Sequence, residues 1–459
     1  MSQPAADFAP FEALMRREGL PGIAIRTVAH YYEMLAAGHT RLVPEAELEP
    51  ADGIPDAEAL APGLASIGES ELARTVMLKL NGGLGTGMGL ERAKSLLTVR
   101  DGLCFLDIIA RQAAAAGVPL LLMDSFSTRD DSLARLRGQP LPDRGLPPDF
   151  LQHKVSKVRV DDLRPADWPR EPALAWCPPG HGDLYTALQT SGVLDRLLAG
   201  GFRWAFVSNA DNLGATIDPV ILGHVASSGA PLVMEVADRT PADRKGGHLA
   251  RRRDGRLVLR EVAQCPPADE AAFQDIARHR YFNTNTLWLD LQALDRRLRE
   301  GGGLLGLPMI RNRKTLDPRD PDSPAVYQLE TAMGAAIESF PGAAALRVPR
   351  ARFAPIKHTS DLLGVRSDSY VLTATHQVVP NPARRLPPPV IDLDPGFYRF
   401  VDDLERRFPD GPPSLVECSR LVVRGDVRFG RGVVLRGDVN LAAEPGTVRL
   451  VPHGAVICG

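Results

Sequence analysis

Residues 76–100 read VMLKLNGGLGTGMGLERAKSLLTVR. The residue types here suit the binding of a phosphate chain. Asn81-Gly82-Gly83 follows the apolar run Val76 to Leu80, and Gly85, Gly87 and Gly89 recur at alternate positions. Backbone without side chains can curl tightly and turn its N–H groups toward an anion. Lys94 lies just beyond, within reach of whatever the loop holds. The spacing fits neither the dinucleotide fingerprint G-x-G-x-x-G nor the Walker pattern, because Met88 stands where each requires something else. A flexible turn is the plain alternative. A strand before the glycines and a lysine after them favour a phosphate loop of a different kind.

Five later stretches carry polar groups of the same sort. In Gly180-His181-Gly182-Asp183 a histidine stands between two glycines, just before a helix starting near Leu184. A helix start favours anions, and a protonated or hydrogen-bonding His181 there can hold a phosphate. Ser208-Asn209-Ala210-Asp211 closes an apolar run, and Asp211 can bind Mg²⁺, which takes one or two carboxylates plus phosphate oxygens. Leu259 to Gln264 reads as a strand carrying Glu261, which can accept hydrogen bonds from sugar hydroxyls. Asn283 and Asn285 are two apart, hence on one face if the chain is extended, and amides both donate and accept. Lys357 follows the proline-stiffened turn at Pro355 in a chain poor in lysine. Taken singly, each has an ordinary structural explanation, such as a turn aspartate or a solvated edge glutamate.

These motifs resemble those of one family. Leu80 to Thr86 with Lys94-Ser95, Gly180-His181-Gly182-Asp183, Asn209 to Asp211, Asn283 to Trp288 and Lys357-His358-Thr359-Ser360 occur together and in order. They are similar to the motifs of the eukaryotic-type UTP–glucose-1-phosphate uridylyltransferases (UDP-glucose pyrophosphorylases), over roughly residues 71–459. The resemblance implies UTP contacts at Leu80, Asn81, Gly82, Gly83, Lys94, Gln152, Gly180, Asn209, Asp211 and Lys357. It implies Mg²⁺ on Asp211, and catalytic charge from Lys94 and Lys357. Sugar-phosphate contacts would fall to His181, Glu261, Asn283 and Asn285. Gln152 is matched to the glutamine that reads uracil, although Ser156 stands where the family has a proline. The implied partners are UTP, glucose 1-phosphate, UDP-glucose and pyrophosphate. A relative that prefers N-acetylglucosamine 1-phosphate or a range of sugars is a rival reading, as is a non-catalytic regulator that binds nucleotide sugars.

The elements that must position these groups alternate. Strand-like runs at 76–80, 118–123, 202–207 and 232–236 alternate with helical runs such as Phe105 to Ala116, which implies a largely parallel sheet with covered faces. Ligands of such sheets bind at the carboxyl ends of the strands, where the polar clusters fall. The resemblance adds that this is a Rossmann-like nucleotidyltransferase domain with a mixed, mainly parallel sheet, over residues 71–370. Residues 1–70 read as packing helices around Phe11 and Tyr32, then an acidic, Pro-rich linker at 44–63. In the segment 371–459, Leu421, Val427, Val433 and Val439 recur every six residues and Arg-Gly-Asp-Val occurs twice. That period marks a parallel β-helix, with two antiparallel hairpins as the alternative; the resemblance makes it left-handed. Stacking of its coils between chains would allow a homo-oligomer.

Composition excludes several function classes. The chain has 459 residues, a formal charge of −2 and an apolar fraction of 44%. No broad basic field invites nucleic acid. The five cysteines show no C-x-x-C pair, as expected of reduced thiols in a cytosol. With neither a leader nor a run of the roughly 18 apolar residues a membrane span needs, a cytoplasmic protein is expected.

Overall fold

The structure, a computed structural model, describes residues 7–39 and 42–459. A ten-stranded sheet lies at its centre. One path through it runs Leu48–Pro50, His248–Arg252, Tyr281–Asp290, Trp204–Asn209, Thr75–Asn81, Leu120–Asp124, Asp149–Leu151. Leu232–Asp238 joins it against Tyr281–Asp290, and Ala344–Arg347 and Leu257–Arg260 complete it. Seven strands run one way. Leu48–Pro50, Leu257–Arg260 and Tyr281–Asp290 run against them. The sheet is therefore mixed and mainly parallel, as expected.

Alternation places the core. On Thr75–Asn81, Val76 and Leu78 join the apolar cluster on one face of the sheet, with Val207 and Leu287. Met77 joins the cluster on the other, with Phe206 and Trp288. A strand buried on both faces reads as a nearly continuous apolar run, which is how it appears in the sequence. Helix Phe105–Ala116 covers one face. Asp107 caps its start by accepting from Cys104 N–H at 2.9 Å, and Gly117, at φ 68°, ends it in the left-handed region.

The N-terminal helices Ala9–Arg17 and Gly22–Ala36 bury Phe11, Met15 and Tyr32. The Pro-rich stretch 44–63, expected as a linker, also contributes to the sheet. It supplies the edge strand Leu48–Pro50, paired with His248–Arg252, and an edge tolerates the missing N–H of Pro50. Among the described residues no helix is long and apolar enough to cross a membrane.

The C-terminal strands are short and parallel. Val390–Leu393, Cys418–Arg424, Val434–Ala442 and Val456–Cys458 form one sheet, and Asp426–Phe429 pairs with Val448–Val451. Leu421 stands opposite Val439, and Leu421, Val427, Val433 and Val439 are all at most 1% exposed. The hexad positions therefore point inward and join the same core as Met77. Parallel pairing removes the two-hairpin alternative.

Candidate active site

Four parallel strands end at one edge of the sheet, with Asn81 opposite Asp124, Asn209 opposite Leu80 and Leu151 opposite Asp124. A cavity of about 340 Å³ opens there. Its walls include Leu80, Asn81, Gly82, Gly83, Lys94, Gln152, Gly180, His181, Asn209 and Asp211. These are ten of the fourteen residues singled out in the sequence, drawn from loops far apart in the chain.

The glycine loop curls back on itself. Gly85 and Gly89 take φ of 66° and 77°, and Lys94 N–H donates to Gly83 O at 3.1 Å. A Cβ on Gly85 would lie 3.2 Å from the Lys94 stem, so the loop closes only around a glycine. Lys94 thus turns toward the cavity, and its Nζ donates to Asp211 Oδ2 at 2.6 Å. The other oxygen, Asp211 Oδ1, is buried without a hydrogen-bond partner. An orphaned carboxylate oxygen beside a phosphate-sized space fits Mg²⁺, which needs few protein ligands. Among the described residues no group of three His, Cys, Asp or Glu gathers to hold a metal without help from a ligand.

Gln152 lies between two glycines. Its Nε2 donates to Gly180 O at 2.8 Å, and its Oε1 lies 2.6 Å from where a Cβ on Gly82 would be. Ser156 does not disturb this placement; it is buried in a short strand paired with Trp176–Cys177. His181 departs from one expectation. Its Nδ1 accepts from Met333 N–H at 3.0 Å, so the ring proton sits on Nε2. Burial pulls its pKa down to about 4, which makes it a neutral donor rather than a protonated one. The helix after it, Leu184–Thr190, has only seven residues, so its dipole adds little.

Asn81 turns its amide nitrogen away from the cavity. Its Nδ2 donates to Asp124 Oδ1 at 2.6 Å and to Ser132 Oγ at 2.8 Å. Ser132 spends its own proton on Thr128 O, so its oxygen must accept, and the amide orientation follows. Burial raises the Asp124 carboxyl to about 7.

Four predicted residues lie outside the cavity walls: Lys357, Glu261, Asn283 and Asn285. Lys357 is exposed, on a segment tied to Asp211. Ile356 N–H donates to Asp211 O at 3.3 Å, and Asn212 Oδ1 accepts from Ala354 N–H at 3.1 Å while its Nδ2 donates to Arg352 O at 3.0 Å. Glu261 is not within a strand. It starts the turn Val262–Gln264 after Leu257–Arg260, with its carboxylate against Gly247. Burial raises the Glu261 carboxyl, and Lys357 draws it back down, which puts the two charges in one neighbourhood.

Asn283 and Asn285 meet, but not through simple alternation. The register slips opposite Glu235 and Val236, and Asn285 takes φ 54°. Asn283 Nδ2 then donates to Asn285 Oδ1 at 2.9 Å. Asn283 also lies against Gly334, next to the Met333 that holds His181. The two groups of residues are therefore contiguous.

Ser95 and Ala210, inside the motifs but given no contact, also line the cavity, and so do Met123, Pro178 and Glu330, which the sequence reading missed. Glu330 comes from the hairpin Met309–Thr315/Ala325–Thr331, which no motif marks. Asp124 did carry a signal, a carboxylate ending an apolar strand beside the glycine loop.

A nucleotide-sized space over a glycine turn, at the carboxyl ends of parallel strands, places the chain among α/β nucleotide-binding proteins with a nucleotidyltransferase fold. Comparison narrows that class. The family model described as UTP--glucose-1-phosphate uridylyltransferase matches residues 30–436, and the chain belongs to that family. It is 43% identical over 394 residues to the UTP--glucose-1-phosphate uridylyltransferase of Solanum tuberosum, covering 84% of this chain and 80% of that one. The corresponding protein of Saccharomyces cerevisiae is 42% identical over 395 residues, covering 84% and 78%. A crystal structure of a mutant UDP-glucose pyrophosphorylase from Leishmania major in complex with UDP-glucose superposes with a TM-score of 0.90 at 42% identity, covering 100% of this chain and 99% of that one.

Proposed function

We propose that this protein makes UDP-glucose and pyrophosphate from UTP and glucose 1-phosphate. The observation that carries this reading is the Lys94–Asp211 pair, set over the Gly82-Gly83 turn with Asp211 Oδ1 unpartnered. In it, Gln152, Gly180, Gly82 and Gly83 receive the uracil and ribose, with Leu80, Asn81 and Asn209 completing that wall. Lys94 and Lys357 face the phosphates. Glucose 1-phosphate lies beside them, its phosphate near the Nε2–H of His181, its hydroxyls near Glu261, Asn283 and Asn285. A phosphate oxygen of the sugar attacks the α-phosphorus in line; the bond to the bridging oxygen breaks and pyrophosphate leaves.

No protein nucleophile is needed, and the attacking oxygen is already anionic. The task is to hold two anions together, so positioning and charge neutralisation supply the rate. Mg²⁺ on Asp211 Oδ1 would add positive charge against the phosphate oxygens. The C-terminal strands fit the coils of a left-handed β-helix, which with a linker helix makes up residues 371–459. The catalytic domain is taken as 71–370.

Pyrophosphate release by the purified protein, from UTP with glucose 1-phosphate, tests the reading. Release only with N-acetylglucosamine 1-phosphate, or none with any sugar phosphate, contradicts it.

A further inference from the structure

One buried cation has no part in the mechanism above. Lys79 lies in the middle of the strand Thr75–Asn81 and is fully buried. Its Nζ donates to Ser208 Oγ at 2.6 Å and to Ala215 O at 3.0 Å. Those two acceptors bracket the loop 209–214, which carries Asn209 and Asp211. Ser208 and Ala215 are themselves fully buried. The loop is also held to the neighbouring strand by Ala210 N–H on Leu80 O at 3.1 Å, and from within by Gly214 N–H on Asn212 Oδ1 at 3.2 Å.

An amine is a costly residue to put there. Burying a lysine disfavours its charge, and an apolar side chain in a core strand is usually neutral or stabilising by comparison. Burial pulls the Lys79 pKa down to about 7; Arg352 adds to this, and Glu235 and Asp211 oppose it. The neighbouring Glu235 is already engaged by Arg352 at 2.8 Å and by Trp288 at 2.9 Å. Lys79 therefore has no ion pair of its own to explain it. Besides the face of Phe206, whose ring centre is 5.6 Å from Nζ, it has two hydrogen bonds, one to each end of a single loop. A neutral amine retains two N–H donors, so both bonds survive either protonation state.

The geometry points to Lys79 as a positioning residue that staples the two ends of the 208–215 loop and so fixes Asp211 and Asn209 at the cavity. This deepens the proposed function and rests on its assignment of Asp211 to the metal and Asn209 to the nucleotide. The staple acts on the side of the nucleotide, the metal and the Lys357 segment bonded to Asp211 and Asn212, whereas the residues assigned to glucose 1-phosphate lie on other elements.

Lys79→Met keeps the bulk and removes both donors. The expected result is a protein that melts near the parent temperature, with the half-saturating concentrations of Mg²⁺ and UTP raised about tenfold, the scale of one lost hydrogen bond. The KM for glucose 1-phosphate should stay within about twofold. Amide hydrogen exchange in residues 209–215 should quicken. Unchanged Mg²⁺ and UTP requirements in folded Lys79→Met overturn the proposal. So does a general loss of stability with all constants worsening together. Should Lys79→Met fail to fold, Ser208→Ala removes one arm, and the same selective shift, or its absence, decides. Asp211→Ala in the same assay separates the two failures. A metal curve unmoved by Asp211→Ala contradicts the role given to Asp211. A curve moved by Asp211→Ala but not by Lys79→Met contradicts the staple alone.

Discussion

Lys94 and Asp211 stand 117 residues apart in the chain, yet the amine meets the carboxylate at 2.6 Å on the wall of one cavity. The pair joins the end of the glycine loop to the end of the neighbouring parallel strand. It holds a cation and an anion at the spot proposed for a triphosphate and its metal. The charges neutralise each other until a ligand arrives. In the proposed function, a triphosphate would draw the amine away and leave the carboxylate, with one oxygen already unpartnered, to take a cation.

Asp211→Ala is therefore expected to flatten the Mg²⁺ dependence of turnover while UTP still binds through Lys94 and the glycine loop. A metal titration of initial rates checks this. A half-saturation concentration equal to the parent's contradicts it.

Lys357 is exposed, but its segment is fixed to Asp211 through Ile356 and Asn212. Lys357→Ala should lower kcat by on the order of 10²-fold or more, the scale of removing a group that stabilises transition-state charge. The fold should be unaffected, since the side chain buries nothing. Steady-state kinetics and a thermal melt measure both; near-normal kcat rejects the role.

Gly82→Ala tests the nucleotide wall. The new Cβ would lie 2.6 Å from Gln152 Oε1, closer than atoms approach, so Gln152 must move off Gly180. The KM for UTP should rise about tenfold or more, with the KM for glucose 1-phosphate little changed. Equal changes in both, or none, contradict this placement of Gln152.

Asp124 gives a pH dependence with a definite sign. Its carboxyl is raised from 3.8 to about 7 by burial. Between those values the folded protein binds more protons than the unfolded chain, so this group's contribution to stability is full below about pH 4 and is lost as pH rises through 7. Asp124→Asn removes the penalty. The melting temperature of Asp124→Asn relative to the parent should climb between pH 5 and pH 8. A difference that stays constant, or narrows, rules out the shift.

Much of this site was readable from residues close together in sequence. Leu80 to Gly83 and Lys94 share one loop, and Asn209 and Asp211 share one strand end, so local pattern marked the two stretches and the family resemblance supplied the individual roles. Other features depend on partners the sequence does not mark. Nothing near Asn81 reveals that its amide nitrogen is taken by Asp124 and Ser132, 43 and 51 residues away. The bulge that brings Asn283 onto Asn285 depends on register against Leu232–Asp238, which period-2 alternation does not encode. The edge strand Leu48–Pro50 was hidden in a stretch whose prolines signal a linker, because its pairing comes from His248–Arg252, some 200 residues on. Glu330 reached the cavity on a hairpin with no chemical motif at all.

The central claim is that one cavity receives the uridine nucleotide, with Lys94 and Lys357 both turned to its phosphates. A crystal of the purified protein soaked with UDP-glucose tests it most directly. The account predicts uracil between Gly82-Gly83 and Gln152, phosphates within hydrogen-bonding reach of Lys94, and the Lys357 segment drawn toward them. Nucleotide bound elsewhere, or both amines far from its phosphates, would contradict it.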